Sequence, residues 1–270
     1  MSKIICIANQ KGGVGKTTTC INLSASLAAC GKKTLIVDID PQANATTGLG
    51  KSGDKTMYEV LLENINIKDV IQETDLPYLF IAPAKVDLAG GAVELTYVPN
   101  REKVLRVTLS SIKSDYSYIF IDCPPSLGLL TLNGLVAADS ILIPIQCEFY
   151  AMEGVTRLLD TINRVKSGLH SGLEIEGVLL TMVSRTKLSR EVEQEVRNYF
   201  KGKVYETIIP RNIRLAEAPS FGKPIMLYDI LAKGAQAYLE LAKEMLKKEP
   251  QTTEDTENRT AEGTEEINHR

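Results

Sequence analysis

Residues 9–18 read Asn-Gln-Lys-Gly-Gly-Val-Gly-Lys-Thr-Thr, after a short β-branched run and before an amphipathic segment. Glycines at such a junction let backbone N–H groups turn inward around phosphate oxygens, and the first turn of the following helix adds its partial positive charge. Gly12, Gly13, Val14 and Gly15 form the candidate cradle, with Thr17 and Thr18 opening the helix. Lys16 is placed to reach β- and γ-phosphates, and the Thr17 hydroxyl to ligate Mg²⁺. The spacing G-x-x-x-x-G-K-[ST] is not met: Gln10 stands where its first glycine belongs, and an additional lysine, Lys11, precedes the glycine pair.

A phosphate loop needs carboxylates at the C-terminal ends of neighbouring strands, where ligands sit in open α/β sheets. Ile119-Phe120-Ile121-Asp122 is an apolar run ending in an acid and stopped by Cys123-Pro124-Pro125, so Asp122 is the candidate for the Mg²⁺ shell, through water. In Leu35-Ile36-Val37-Asp38-Ile39-Asp40-Pro41-Gln42, alternation sends Asp38 and Asp40 to the same side, and only Asp40 lies past the strand end. Asp38 is read as a supporting or metal-shell residue. Asp40 either acts on the reaction or caps the turn made by Pro41. The chemistry of such a set is attack of water on a γ-phosphate, with lysines and Mg²⁺ stabilising charge. The histidines, His170 and His269, form no Ser–His arrangement that competes with it.

Elements to position these residues are legible. Strand-like runs cover 3–8, 34–38, 79–83, 118–122, 140–145, 176–182 and 204–209, several apolar at consecutive positions, as in strands covered on both faces. Helical segments are expected at 16–29, 57–63, 87–95, 101–114, 129–138, 154–167, 189–200 and 233–247, and Gly31 stands where a C′ glycine would end the first. The alternation predicts an α/β fold: a single doubly wound, mostly parallel sheet flanked by helices. One domain over 1–249 and an acidic, disordered tail over 250–270 are expected.

Charge narrows the function classes. The chain has 31 basic and 34 acidic residues and a net charge of −3, which excludes a wholesale basic nucleic-acid coat but not a local patch. Residues 249–270 hold seven acids and two arginines, about −5, leaving about +2 on the remainder. No apolar run is long enough to span a bilayer. No signal peptide is read at the N-terminus, so a cytoplasmic location is expected. The five cysteines, 6, 20, 30, 123 and 147, include no C-x-x-C pair and are expected to be buried, reduced thiols.

The form Lys11-Gly-Gly-Val-Gly-Lys16-Thr-Thr resembles the deviant Walker A loop of the ParA/MinD superfamily of ATPases. Four further segments are similar to the chromosomal, Soj-type branch of the ParA partition ATPases: 40–50, 122–131, 144–154 and 209–224, the last reading Ile-Pro-Arg-Asn-Ile-Arg-Leu-Ala-Glu-Ala-Pro-Ser-Phe-Gly-Lys-Pro. The similarity runs from about residue 2 to residue 247 and stops at the tail.

The resemblance implies a P-loop ATPase using ATP and Mg²⁺. It implies a homodimer in the ATP-bound state, non-specific binding of double-stranded DNA by that dimer, and a ParB-type partner that stimulates hydrolysis on the nucleoid. It assigns Lys11 to reach the phosphates of the dimer partner, and Asp40 to orient the attacking water. Pro210 and Asn212 become adenine contacts with Arg211 flanking, and Met152 and Glu153 face the dimer interface. Arg185 and Arg214 match DNA-contacting positions, with Lys187, Arg190, Lys223 and Lys233 extending a patch. The acidic tail is expected to compete with DNA for that patch.

Three rival readings compete with this one. A MinD-like, membrane-recruited regulator needs a basic amphipathic C-terminal helix, and the terminus Thr-Glu-Glu-Ile-Asn-His-Arg is acidic. A metabolic ligase or iron–sulfur reductase on the same loop would need further site residues; Cys123 has no companion cysteine pair. A scaffold without hydrolysis conflicts with Lys11, Lys16 and Asp40 all being present.

Overall fold

The computed structural model describes residues 2–148 and 151–248, without the side chains of Ala151 and Glu153. The expected tail, 250–270, and the last residue of the expected domain lie outside the described residues. The strands are β1 (Lys3–Ile7), β2 (Thr34–Asp38), β3 (Gln72–Glu73), β4 (Leu79–Ala82), β5 (Tyr118–Asp122), β6 (Ser140–Gln146) and β7 (Glu174–Thr181). They form one sheet in the order β3-β4-β2-β5-β1-β6-β7. All neighbours pair in parallel except β3 and β4. The helices are α1 (Lys16–Ala29), α2 (Asn44–Gly48), α3 (Met57–Leu62), α4 (Leu88–Glu94), α5 (Val104–Ser110), α6 (Leu129–Ala137), α7 (Ala151–Gly168), α8 (Lys187–Phe200), α9 (Ile213–Glu217), α10 (Ile225–Tyr228) and α11 (Lys233–Lys248).

Two apolar layers sandwich the sheet. Ile4, Cys6, Leu35, Val37, Ile119 and Ile121 point into one; Ile5, Ile7, Ile36, Tyr118 and Phe120 point into the other. Alternating strand positions therefore supply both cores, which is why these strands are apolar at successive residues. Helix α1 lies almost wholly buried on the second face, where Ser24, Ala25, Ser26 and Ala28 keep it slim enough to pack under α11. Gly31 ends its C-terminal turn at φ 74°, as the sequence led us to expect.

Three readings are corrected. The run 204–209 is not a strand. Tyr205 and Ile209 donate backbone N–H groups to Val178 and Leu180, but those of Glu206 and Thr207 go to the Glu244 carboxylate of α11 at 3.0 and 2.9 Å. A side-chain acceptor thus interrupts the ladder. The helix expected over 101–114 is confined to Val104–Ser110, because buried Asn133 accepts the Leu105 N–H and donates to the Arg101 carbonyl, fixing the entry. Cys30 is exposed at the C-cap of α1, whereas the other four cysteines are buried. Cys6 and Cys123 lie Sγ to Sγ at 3.3 Å, and burial pushes Cys147 up to about 11.

Candidate nucleotide site

The loop between β1 and α1 is held open by side chains around it. Asn9 donates from Nδ2 to the Pro144 carbonyl at 2.7 Å and accepts the Lys11 N–H on Oδ1 at 3.0 Å. Gly15, the N-cap of α1, has φ 88°, a left-handed conformation that costs glycine little and a side-chain-bearing residue more. Thr181, the last residue of β7, donates its hydroxyl to the Val14 carbonyl at 2.8 Å. Lys16 is 7% exposed and reaches back to the Lys11 carbonyl at 3.2 Å. Burial lowers its pKa, opposed by Asp122, Cys123 and Asp40. A desolvated ammonium at a helix N-terminus is a ready receptor for an anion.

Parallel register brings the carboxylates to this loop. Asp122 pairs with Ile7 on one side and with Asp38 on the other, so both acids stand at the C-terminal ends of central strands, where the loop leaves β1. Both Asp122 oxygens are buried without a hydrogen-bond partner among the described residues. Its pKa is raised well above the carboxylate range, first by burial and then by Asp38, while Thr17 and Lys16 oppose the rise. A buried acid left unpartnered is costly, and a hydrated cation at this point would satisfy it. Mg²⁺ retains waters and commonly uses one or two protein oxygens plus substrate phosphates, so Thr17 and Asp122 fit that ion.

Asp38 and Asp40 divide differently. Asp38 accepts the Asp40 N–H on Oδ1, and the Thr46 N–H and hydroxyl on Oδ2, at 3.1, 2.9 and 2.7 Å. Burial nevertheless lifts its pKa to about 6. Its contacts are those of a support for the turn that carries Asp40. Asp40, 5% exposed, accepts the Gln42 N–H on Oδ1 at 3.0 Å and so caps the turn at Pro41.

Beside the loop is a carbon-rich cavity of about 420 Å³, within the usual range for small-ligand pockets, lined by Gly15, Thr18, Thr181, Pro210, Asn212 and Tyr238 among others. The structure thus brings Pro210 and Asn212 next to the phosphate loop, more than 190 residues away in sequence. Tyr238 is fixed by a 3.1 Å hydrogen bond to Thr19. Asn212 also caps α9, its Oδ1 accepting the Arg214 N–H at 2.9 Å. Glu148 bridges the phosphate loop and the 209–213 segment, with one oxygen 3.5 Å from the Lys11 ammonium and the other 3.5 Å from Arg211. Gly222, at φ 65°, presses on the loop after α2: a Cβ there would fall 2.7 Å from the Gly50 Cα. The 213–222 segment therefore abuts the chain leaving Asp40.

The remaining candidates are more scattered. Val183 bridges Pro210, so Arg185 and Arg214 depart from neighbouring backbone. Arg185 is exposed without an ion pair among the described residues, whereas Arg214 pairs with Glu217 at 2.8 Å and Asp229 at 3.6 Å. Lys187 pairs with Glu191; Arg190, Lys223 and Lys233 are exposed. Met152 is half-buried against the core, and the Glu153 side chain lies outside the described residues. Sequence reasoning missed Asn9, Thr46, Glu148, Thr181 and Tyr238. Asn9, Thr46 and Glu148 stand inside or beside the motifs and were within reach, but Thr181 and Tyr238 announce themselves only through contacts.

A family model described as "AAA domain" matches residues 2–175. A chromosome partitioning protein ParA from Myxococcus xanthus is 55% identical over 253 residues, covering 92% of this chain and 89% of the relative. The sporulation initiation inhibitor protein Soj of Bacillus subtilis is 53% identical, covering 91% of this chain and 98% of its own. Among solved structures, cobyrinic acid a,c-diamide synthase from Mycobacterium smegmatis, with bound ADP and magnesium, superposes with a TM-score of 0.79 at 38% identity, covering 91% of this chain and 94% of that one.

Proposed function

The chain belongs to the ParA/Soj family of chromosome-partitioning ATPases, and from that premise we propose that it is a Mg²⁺-ATP-driven switch. In this reading it hydrolyses ATP with water to ADP and phosphate. The ATP-bound form is a homodimer that rides double-stranded DNA without sequence preference, in the cytoplasm on the nucleoid. A ParB-type partner stimulates hydrolysis and ends that state, in the service of chromosome or plasmid partition.

The observation that carries the reading is a convergence at the C-terminal ends of the central strands. The glycine loop with buried Lys16, the unpartnered Asp122, Asp40 and the carbon-rich cavity all meet there. Gly12 to Thr18 bind phosphates through backbone N–H groups and the Lys16 ammonium, and Pro210 and Asn212 hold the base. Thr17 and Asp122, the latter through water, would hold Mg²⁺, which when bound neutralises phosphate charge. Asp40 orients the water that attacks the γ-phosphate, and Asp38 holds the Asp40 turn. Lys11 is released from Glu148 to reach the partner's phosphates, and Met152 and Glu153 belong to the same dimer face. Arg185 and Arg214 contact DNA phosphates. The domain closes near residue 249, and residues 250–270 act as an acidic competitor. The relatives at 53–55% identity favour partition over the amide-forming chemistry named for the 38% identical neighbour.

The test is fluorescence anisotropy of an arbitrary-sequence duplex titrated with the protein in ATP and in ADP, at two salt concentrations. Binding in ATP that weakens with salt supports the switch. Absence of binding in both nucleotides would leave an ATPase but remove the DNA from its cycle.

A further inference from the structure

We infer that Thr181 is a positioning residue of the nucleotide site, its hydroxyl setting the direction of the Val14 carbonyl and so the set of amides that the loop offers to phosphate. The inference rests on the reading that this loop binds a nucleotide.

A loop that cradles an anion with N–H groups must keep its carbonyl oxygens pointed away, because an inward carbonyl would face phosphate oxygens at close range. Glycine frees the peptides to adopt that arrangement but does not select it; with both neighbours of Val14 being glycines, other orientations are cheap. The selection comes from outside the loop. Thr181 is 2% exposed, and its hydroxyl reaches the Val14 carbonyl at 2.8 Å across 167 residues of chain. Its methyl side faces Gly15, where a Cβ would stand 3.7 Å from Thr181 Cγ2.

Thr181 is itself fixed on two sides. Its carbonyl accepts the Cys147 N–H at 3.3 Å, which ties the ends of β6 and β7 together. The next residue, Met182, takes a left-handed φ of 50°, uncommon for a side-chain-bearing residue, and the chain then meets the base segment through Val183 N–H to the Ile209 carbonyl at 3.1 Å. Thr181 and Met182 both line the base cavity. One residue therefore links the phosphate loop, the base cavity and the ends of two strands. Phosphate recognition and base recognition share this strut.

The experiment compares wild type, Thr181→Val and Thr181→Ser by calorimetric titration with Mg-ADP, competition with adenosine, and urea unfolding without ligand. Thr181→Val keeps the shape but loses the donor, and it is expected to weaken Mg-ADP binding about tenfold while adenosine binding changes by less than about twofold. Thr181→Ser keeps the donor and is expected to restore Mg-ADP binding to within about threefold of wild type. If Thr181→Val does not fold, Thr181→Ala set against Thr181→Ser makes the same comparison. Equal losses for adenosine and ADP would reduce Thr181 to a wall of the base cavity. Equal losses in the valine and serine variants would mean packing, and unchanged Mg-ADP binding in Thr181→Val would sink the inference alone. A wild-type chain that binds no Mg-ADP would sink the nucleotide reading with it.

Discussion

The nucleotide end of the sheet and the cationic surface beside it are built from the same residue types and held by different physics. Lys16, Asp38 and Asp122 are buried, and each is placed by a strand end or helix start whose register leaves little choice. Charges there interact through a medium of low polarisability, so each demands a partner or perturbs its neighbours. Arg185, Arg190, Lys187 and Arg214 stand in solvent, on a loop, on the first turn of α8 and on the short helix α9. Arg214 already has two acids, Glu217 and Asp229, and lies 6.0 Å from the Tyr228 ring. Exposed pairs of this kind are worth little and exchange readily. The buried set is preorganised for one ligand geometry, whereas the exposed set can exchange one acidic partner for another anion.

Substitutions should separate the two regions by size of effect. Lys16→Ala removes the buried charge, and loss of nucleotide binding and turnover by at least about a hundredfold is expected in titration and phosphate-release assays. Asp40→Ala should cut turnover by about a hundredfold while Mg-ATP still binds; a parallel loss of binding would make Asp40 only the cap of its turn. On the exposed side, Arg214→Ala is expected to weaken ATP-dependent DNA binding about three- to tenfold and to lower the salt slope by about one, leaving turnover without DNA unaltered. Glu217→Gln sharpens the comparison, because freeing Arg214 should strengthen DNA binding about twofold at low salt. Removing 250–270 should also tighten DNA binding at low salt, and an unchanged isotherm would dispose of tail competition.

The smallest effect is expected far from both regions. His170 donates from Nε2 to the Ala138 carbonyl at 3.0 Å and meets Arg106 at Nδ1 at 3.1 Å. An arginine can only donate, so the neutral ring with its proton on Nε2 fits both partners. Burial first, and Arg106 second, lower its pKa below the usual 6.5. The unfolded chain then binds the proton more readily. The stabilisation is whole above pH 6.5 and is lost as pH falls through that value toward the lower folded pKa. Urea unfolding at about pH 7.5 and 5.5 should show a smaller loss in His170→Gln than in wild type.

Where the argument could be made along the chain, sequence was enough. The strands leading into Asn9 and ending at Asp38 and Asp122 were legible, because burial on both faces demands consecutive apolar residues and a strand must stop where an acid, a proline or a glycine loop begins. Helix α1 was legible from its glycine-rich entry to Gly31. The edge strand Gln72–Glu73 was not, since two polar residues carry no period and it exists only by pairing with β4. Nor was the fate of 204–209, decided by Glu244 on a helix some 40 residues later. Cys30 misled because a helical sequence context does not say which side of the cap meets solvent.

The sequence by itself determined the chemistry available: a phosphate loop with two lysines, acids at the ends of two parallel strands, a sheet covered on both sides. Those follow from local sterics and burial, which act over a few residues. Tertiary structure alone decided which groups complete the site: Thr181 on the Val14 carbonyl, Tyr238 and Asn212 around the base cavity, Glu148 on Lys11 and Arg211, and Thr46 on Asp38. All but the last join residues that the winding order of the sheet brings together, Thr46 meeting Asp38 from the helix that follows it, and the strength of each depends on a distance and an angle that no spacing in the chain encodes.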